Sequence, residues 1–208
     1  EYNMLTIAWT GTICTDPPMC YISVRKERHS YDIIRRTGEF CINLTTEAMA
    51  HATDWCGVRS GRDNNKWEAM HLTPVKNKHV GAPLVGESPL SICCRVRQVI
   101  ELGSHDMFIA DVVGISVDDA LIDETGKLCL DKANLAAFAH GEYFELGKKI
   151  GMVRRHQRRS LMGFEQSLPE RLLVIGKRNL MFRQTQKLPF SHDLAASKQF
   201  FQHIMCQF

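Results

Sequence analysis

Apolar positions along this 208-residue chain recur mainly with a period of two or as short continuous runs, so strands dominate the expected structure. Residues 3–9 (NMLTIAW) and 19–24 (MCYISV) are β-rich runs, separated by a turn holding Asp16-Pro17-Pro18. Ser30 is placed to cap a helix over YDIIRRTG, with Asp32 in its first turn, Arg35 and Arg36 in its last, and Gly38 to end it. Residues 40–44 (FCINL) read as a buried strand, and residues 47–56 (EAMAHATDWC) as a helix stopped by Gly57. A polar loop then leads to a brief helix over residues 66–70. Two longer β-rich runs, residues 91–102 and 106–117, flank a turn at Gly103-Ser104-His105. In the first run Cys93, Arg95 and Arg97 fall on one face, and Ile92, Cys94, Val96 and Gln98 on the other. Residues 131–138 have helical composition and precede HGEY. Without a regular β-α alternation, the pattern predicts a mainly β protein, a small antiparallel barrel with peripheral helices.

Composition narrows the class. At 44% hydrophobic and 24% charged residues the chain has the make-up of a soluble globular protein. No run approaches the ~20 apolar residues that span a bilayer. The N-terminal residues carry no basic-then-apolar leader, so a cytoplasmic location with reduced thiols is expected. The first residue is Glu1 rather than Met, which predicts an incomplete N-terminus. The eight cysteines contain no C-x-x-C, so no metal site is expected and most read as small packed hydrophobes.

Charge divides the chain. Residues 1–150 hold 16 basic and 20 acidic side chains, net −4, whereas residues 151–208 hold 10 and 3, net +7. The expectation is a body over residues 1–151 and a poorly ordered basic extension over 152–208. Within the extension, Leu172-Leu173-Val174-Ile175 is a short apolar run, and residues 194–204 could form a weak amphipathic helix. Arg154, Arg155, Arg158 and Arg159 read as a solvated face, with contact to nucleic acid or an acidic partner as the competing reading; a nucleic-acid partner is not expected.

Common nucleotide and hydrolase signatures (G-x-G-x-x-G after a strand, G-x-x-x-x-G-K-[ST], H-E-x-x-H, G-x-S-x-G) are missing. Arg25, Arg28, His29 and Ser30 sit where a strand gives way to a helix, a place where backbone N–H groups and an Arg fork suit a phosphate. Ser60-Gly61-Arg62, with Lys66 behind it, has the same character. Two such clusters suggest a phosphate-bearing cofactor; solvated surface charge is the competing reading. Asn43-Leu44-Thr45 ends an apolar strand and suits either a ligand contact or a turn. Trp9 and Trp55 could flank a planar ring or fill core, and His140 could face a reaction centre or occupy a turn.

Taken in order, TIAWTGTICTDPPMCYISVRKERHSYDII, GEFCINLTTE, ATDWCGVRSGRDNNKWE, LGSHDMFIADVV and AHGEYFELGKKIG resemble the flavin reductase-like family, in the subgroup that contains flavoredoxin. The likeness runs over residues 3–151. It implies an FMN-binding split barrel, here lacking its first strand and followed by a tail foreign to the family. It also implies a homodimer with the flavin near the subunit interface, reduced by NADH or NADPH. Carried over, the resemblance lays backbone groups of Ala8, Trp9 and Thr10 along the flavin ring. It gives the phosphate and ribityl chain to Ser23, Arg25, Arg28 and Ser30. Asn43, Leu44, Thr45, Ser60, Gly61 and Lys66 would supply further cofactor contacts, and His140 would lie near the reactive face. Lys26 stands where the subgroup often has Pro. Such chemistry needs no protein nucleophile, because the flavin accepts the hydride. Two functions follow from the likeness: an oxidoreductase that reduces free flavin or another acceptor, or a non-catalytic electron carrier reduced by a protein partner.

Overall fold

The computed structural model describes residues 2–151 and the backbone of residues 192–194. Its main sheet contains β1 (Thr10–Thr15), β2 (Pro18–Arg25), β3 (Glu39–Asn43), β6 (Leu90–Glu101), β7 (His105–Val117) and β10 (His192–Leu194). The order is β1-β2-β7-β6-β3, all pairs are antiparallel, and β10 pairs with β7 at Ile115–Val117. Among the described residues the sheet does not close on itself. Two small sheets stand apart, β4 (Pro74–Val75) with β5 (Leu84–Val85) and β8 (Ala136–Ala139) with β9 (Glu142–Glu145). Helices α1 (His29–Thr37), α2 (Ala50–Val58) and α3 (Lys66–Ala69) occupy the connections. One compact unit comprises Glu1–Gly147 and Pro189–Phe208; Lys148–Leu188 forms another, of which residues 148–151 are described and exposed. No helix among the described residues is long and apolar enough to cross a membrane.

Strand alternation builds the core. Cys20, Ile22 and Val24 of β2 and Asp106, Phe108, Ala110 and Val112 of β7 point inward from alternate positions. All of these except Asp106 meet Ile34, Phe40, Leu90, Ile92 and Ile115 in one cluster. Burying side chains such as Phe108, Ile92 and Ile115 stabilises the fold by roughly 1.5–3 kcal/mol each. Gly38, in the left-handed region at φ 69°, ends α1 as the sequence predicts and donates its N–H to the Ile34 carbonyl at 2.9 Å.

Four expectations change. Residues 3–9 form no strand: the first strand begins at Thr10, and the preceding segment is held by side chains rather than by a ladder. The helix expected over residues 47–56 starts as a 3-10 turn at Glu47–Met49 and runs through Gly57 to Val58. Gly57 is a packing residue, because a Cβ there would meet the Thr6 side chain at 3.0 Å. Residues 131–138 are helical only at their start, in a 3-10 turn at Leu130–Lys132; Ala136–Ala139 is drawn into strand pairing by β9 and by the Thr45 carbonyl, which accepts from Ala136 N–H at 3.0 Å. The even alternation expected in β6 holds from Ile92 to Val96 and is broken by a bulge between Val96 and Gln98; opposite Cys93 and Cys94 the extra residue, Val113, belongs to β7. Cys93 and Cys94 lie on opposite faces and are both fully buried, because Cys94 packs in the main core and Cys93 against Val80 and Leu84; Leu90–Cys94 is buried throughout. The expected features of the basic extension, including Arg154, Arg155, Arg158, Arg159 and the run at 172–175, lie outside the described residues.

Candidate functional site

The site begins at the corner where β2 passes into α1. The Arg25 carbonyl accepts from Arg28 N–H at 3.1 Å, and the Arg28 carbonyl accepts from Tyr31 N–H at 2.9 Å. Arg28, in extended conformation, is the N-cap of α1. Ser30 therefore sits inside the helix rather than capping it. It is buried, and its hydroxyl accepts from the Asn3 amide at 2.7 Å. Arg28 donates to the Gly57 carbonyl at 2.9 Å, bringing α2 against the corner. Arg25 pairs with Glu27 at 2.9 Å on the exposed rim. A backbone N–H and then Arg25 hold the Glu27 carboxyl below its ordinary range.

Two clefts open beside this corner. The first, about 150 Å³, is lined by Ala8, Trp9, Ser23, Arg25, Arg28 and His105. The second, about 250 Å³, is lined by Arg28, Ser30, Arg59, Ser60, Gly61 and Lys66. Leu5 and Arg28 belong to both, so the two adjoin. Jointly they fall in the roughly 300–1,000 Å³ range of small-molecule sites. Trp9 is 57% exposed, with its indole 4.2 Å from the His105 imidazole at a 39° tilt.

The N-terminal segment forms the wall of both clefts, and side-chain hooks hold it there. Lys66, only 4% exposed, donates to the Met4 carbonyl at 2.8 Å and the Cys56 carbonyl at 2.6 Å. Burial pushes its ammonium below the ordinary lysine range. Gly61 leaves room for Asn3, whose amide oxygen occupies the space a Cβ would need. The Thr6 hydroxyl donates to the Thr53 carbonyl of α2, and the Trp67 indole N–H to the Tyr2 carbonyl at 3.4 Å. The Trp9 backbone joins the sheet through its carbonyl, which accepts from Ser23 N–H at 2.9 Å.

The structure thus gathers Ala8, Trp9, Ser23, Arg25, Arg28, Ser30, Ser60, Gly61 and Lys66 around adjoining clefts. Thr10, Asn43, Leu44, Thr45 and His140 line neither. The Thr10 hydroxyl donates to the Tyr21 carbonyl at 2.7 Å. The Asn43 side-chain oxygen accepts from Val85 N–H at 3.0 Å and the Ser91 hydroxyl at 2.8 Å, tying β3 to β5 and β6. Leu44 is core, and Thr45 meets β8. His140 is exposed at φ 51°, in the turn between β8 and β9. Asn3, Leu5, Arg59 and His105 line the clefts without having stood out in the sequence. Only the pairing of Arg25 with His105, across β2 and β7, brings the last of these to the corner.

Comparison with known proteins gives a consistent result. A family model described as flavin reductase like domain matches residues 1–147. The structure of flavoredoxin from Desulfovibrio vulgaris (Miyazaki F) is similar at a TM-score of 0.69 and 31% identity, covering 74% of this chain and 84% of that one. A Shewanella frigidimarina protein described as a flavin reductase with a split barrel domain shares the fold, at a TM-score of 0.66 and 23% identity over 74% of this chain and 78% of that one. The split barrel expected from the sequence is therefore the fold observed. The FMN reductase (NADH) RutF of Pseudomonas syringae is 25% identical over 118 residues, 53% of this chain and 62% of that protein.

Proposed function

Because the chain belongs to the flavin reductase-like domain family, we propose that it binds FMN across the two joined clefts and passes a hydride to it from NADH or NADPH. The observation that carries this reading is the meeting of the clefts at Arg28, where exposed Arg25 and Arg28 flank the N-terminus of a nine-residue helix. That arrangement fits a phosphate, for which guanidinium forks and helix N–H groups are well matched. Bound FMN supplies the hydride-accepting ring and the two-electron chemistry.

The protein's own tasks are binding, orientation and exclusion of water. Arg25, Arg28, Ser23 and Ser30 take the phosphate and ribityl end, with Ser60, Gly61 and Lys66 behind them. Ala8, Trp9 and Thr10 offer backbone groups to the polar edge of the ring. Donors at that edge stabilise negative charge as it develops there. Lys66 serves mainly through Met4 and Cys56, because two of its three donors are committed to their carbonyls. Asn43, Leu44 and Thr45 serve by fixing the strand end next to the site.

His140 belongs to a different part of the same reading. The β8–β9 hairpin exposes Phe138 (53%) and Phe144 (50%). Such a face supports a homodimer in which the hairpin meets a second copy and brings His140 toward that copy's cleft. Light scattering that gives a monomer with FMN bound would rule this out.

The likeness to flavoredoxin at 31% identity favours a second reading, an electron carrier reduced by a protein partner rather than by a nicotinamide. One experiment separates the two. FMN-loaded protein is mixed anaerobically with excess NADH, then NADPH, and the visible flavin absorption is followed. Bleaching supports the oxidoreductase. Persistence of colour with both donors, but not with dithionite, supports the carrier. Protein that retains no FMN refutes both.

A further inference from the structure

We infer that Asp106 is the positioning residue of the phosphate-binding corner, a single buried carboxylate that fixes both ends of the Arg25–Arg28 turn against the β6–β7 hairpin. The inference rests on the reading that this corner receives the FMN phosphate. Asp106 is fully buried, the only carboxylate among the described residues that is, and it is the second residue of β7. One carboxylate oxygen accepts from the Tyr31 hydroxyl at 2.6 Å. The other pairs with the Lys26 ammonium at 3.3 Å and accepts from Leu102 N–H at 3.3 Å.

Those three partners come from three different elements. Lys26 lies inside the corner, one residue after Arg25. Tyr31 lies in the first turn of α1, and its N–H holds the Arg28 carbonyl at 2.9 Å. Leu102 begins the β6–β7 turn. Asp106 thus ties the turn that follows β6 to both the entry and the exit of the corner. His105 immediately precedes it and stacks with Trp9 on the wall of the first cleft. Arg25 and Arg28 are exposed, and neither has a buried anchor of its own among these contacts.

Burying a carboxylate is unfavourable unless it is paired and fully hydrogen-bonded. Here the burial is met by partners that also set the position of two phosphate-binding arginines, while Asp106 touches neither cleft. Lys26 makes this arrangement particular to the chain, because a proline at that position could form no ion pair.

The test compares the affinity of the full chain for FMN with that for riboflavin, which lacks the phosphate. A residue that merely stabilises the fold weakens both flavins alike. A residue that positions the corner weakens FMN alone, so the ratio of the two affinities is the readout. Tyr31→Phe keeps the ring, which packs edge-on against Phe108 with centroids 5.6 Å apart, and removes only the hydroxyl. It is expected to lower the FMN-to-riboflavin ratio about five- to tenfold, part of the effect of one charge-assisted hydrogen bond. Asp106→Asn is expected to lower the ratio as well. Its sign is diagnostic, because removing a negative charge near an anion site would by Coulomb's law raise FMN affinity. An unchanged ratio in Tyr31→Phe, or a raised ratio in Asp106→Asn, overturns the inference. Wild-type protein that binds neither flavin refutes the proposed function instead. Wild-type protein that binds both equally shows that the corner is no phosphate site, and the inference falls with it.

Discussion

Replacing Lys66 with Met tests whether the cleft wall is held by side-chain hooks. The substitution keeps the length of the side chain and removes its ammonium, so the Met4 and Cys56 carbonyls lose donors at 2.8 and 2.6 Å. Hydrogen bonds from a charged group contribute about 1.5–3 kcal/mol each, and a buried acceptor left without a partner costs about 1–3 kcal/mol. Two effects reduce the total. Burial already disfavours the ammonium, as its lowered pKa shows, so its removal relieves part of that penalty. The Met4 carbonyl can also recover water if residues 3–8 swing away. The expected net loss is about 2 kcal/mol, equivalent to a fall in Tm of about 4–8 °C for a protein of this size. Thermal unfolding followed by circular dichroism measures it. Because the wall opens locally, chymotrypsin should also cut near Tyr2, Leu5 and Trp9 faster than in wild type under native conditions. A variant with unchanged Tm and unchanged cleavage would show that Lys66 does not hold the wall.

Four further outcomes are expected. Arg28→Ala should weaken FMN binding about 10- to 100-fold, the loss of one charge-assisted phosphate contact, as measured by fluorescence titration. Gly61→Ala should displace Asn3 from Ser30 and raise chymotrypsin sensitivity at the same wall, and a variant as resistant as wild type would refute the close-approach argument. Gly114→Ala should destabilise by about 1–3 kcal/mol, because the new methyl would stand on the His79 imidazole; urea unfolding reads this directly. The Tyr31–Asp106 bond should shape stability at both ends of the pH scale. Burial raises the Asp106 pKa, but bonds from Tyr31, Lys26 and Leu102 outweigh it and leave the pKa lowered. Its contribution is therefore complete above the usual carboxylate range, near 3.8, and lost as pH falls through the lower folded value. The Tyr31 pKa is raised, first by Asp106, so its contribution is complete below about pH 10 and lost as pH rises through the higher folded value. Tyr31→Phe should flatten the Tm-against-pH curve at both extremes, and an unaltered curve would count against the bond.

The parts of the fold that were legible in the sequence are those in which one element carries its own signal. Residues 19–24, 40–44, 91–102 and 106–117 declare themselves as strands because alternation and β-branched composition agree there, and Gly38 marks the end of α1 by its backbone freedom. The misread segments take their structure from partners distant in sequence. The run NMLTIAW has strand composition, yet its Met4 carbonyl goes to the Lys66 side chain, and the Tyr2 carbonyl just before it to the Trp67 indole, both more than 60 residues away. The segment DKANLAAF has helical composition, but its second half pairs with β9. Single-residue bulges in the β6–β7 ladder have no compositional mark at all. The site divides in the same way. Arg25, Arg28 and Ser30 are legible because they lie within six residues of chain at a strand-to-helix junction. His105 is not, because only the β2–β7 register places it opposite Arg25.

The hooked wall also bears on the order of events as the chain folds. The β6–β7 hairpin joins near neighbours in sequence, whereas Lys66 must reach back 62 residues to Met4. Contacts that close long loops are entropically the later ones, so the β6–β7 hairpin forms first, and both the wall and the β2–β7 ladder, which pairs Arg25 with His105, are laid onto it. By reciprocity, a ligand that touches both corner and wall strengthens the hooks by the same factor by which the hooks strengthen its own binding.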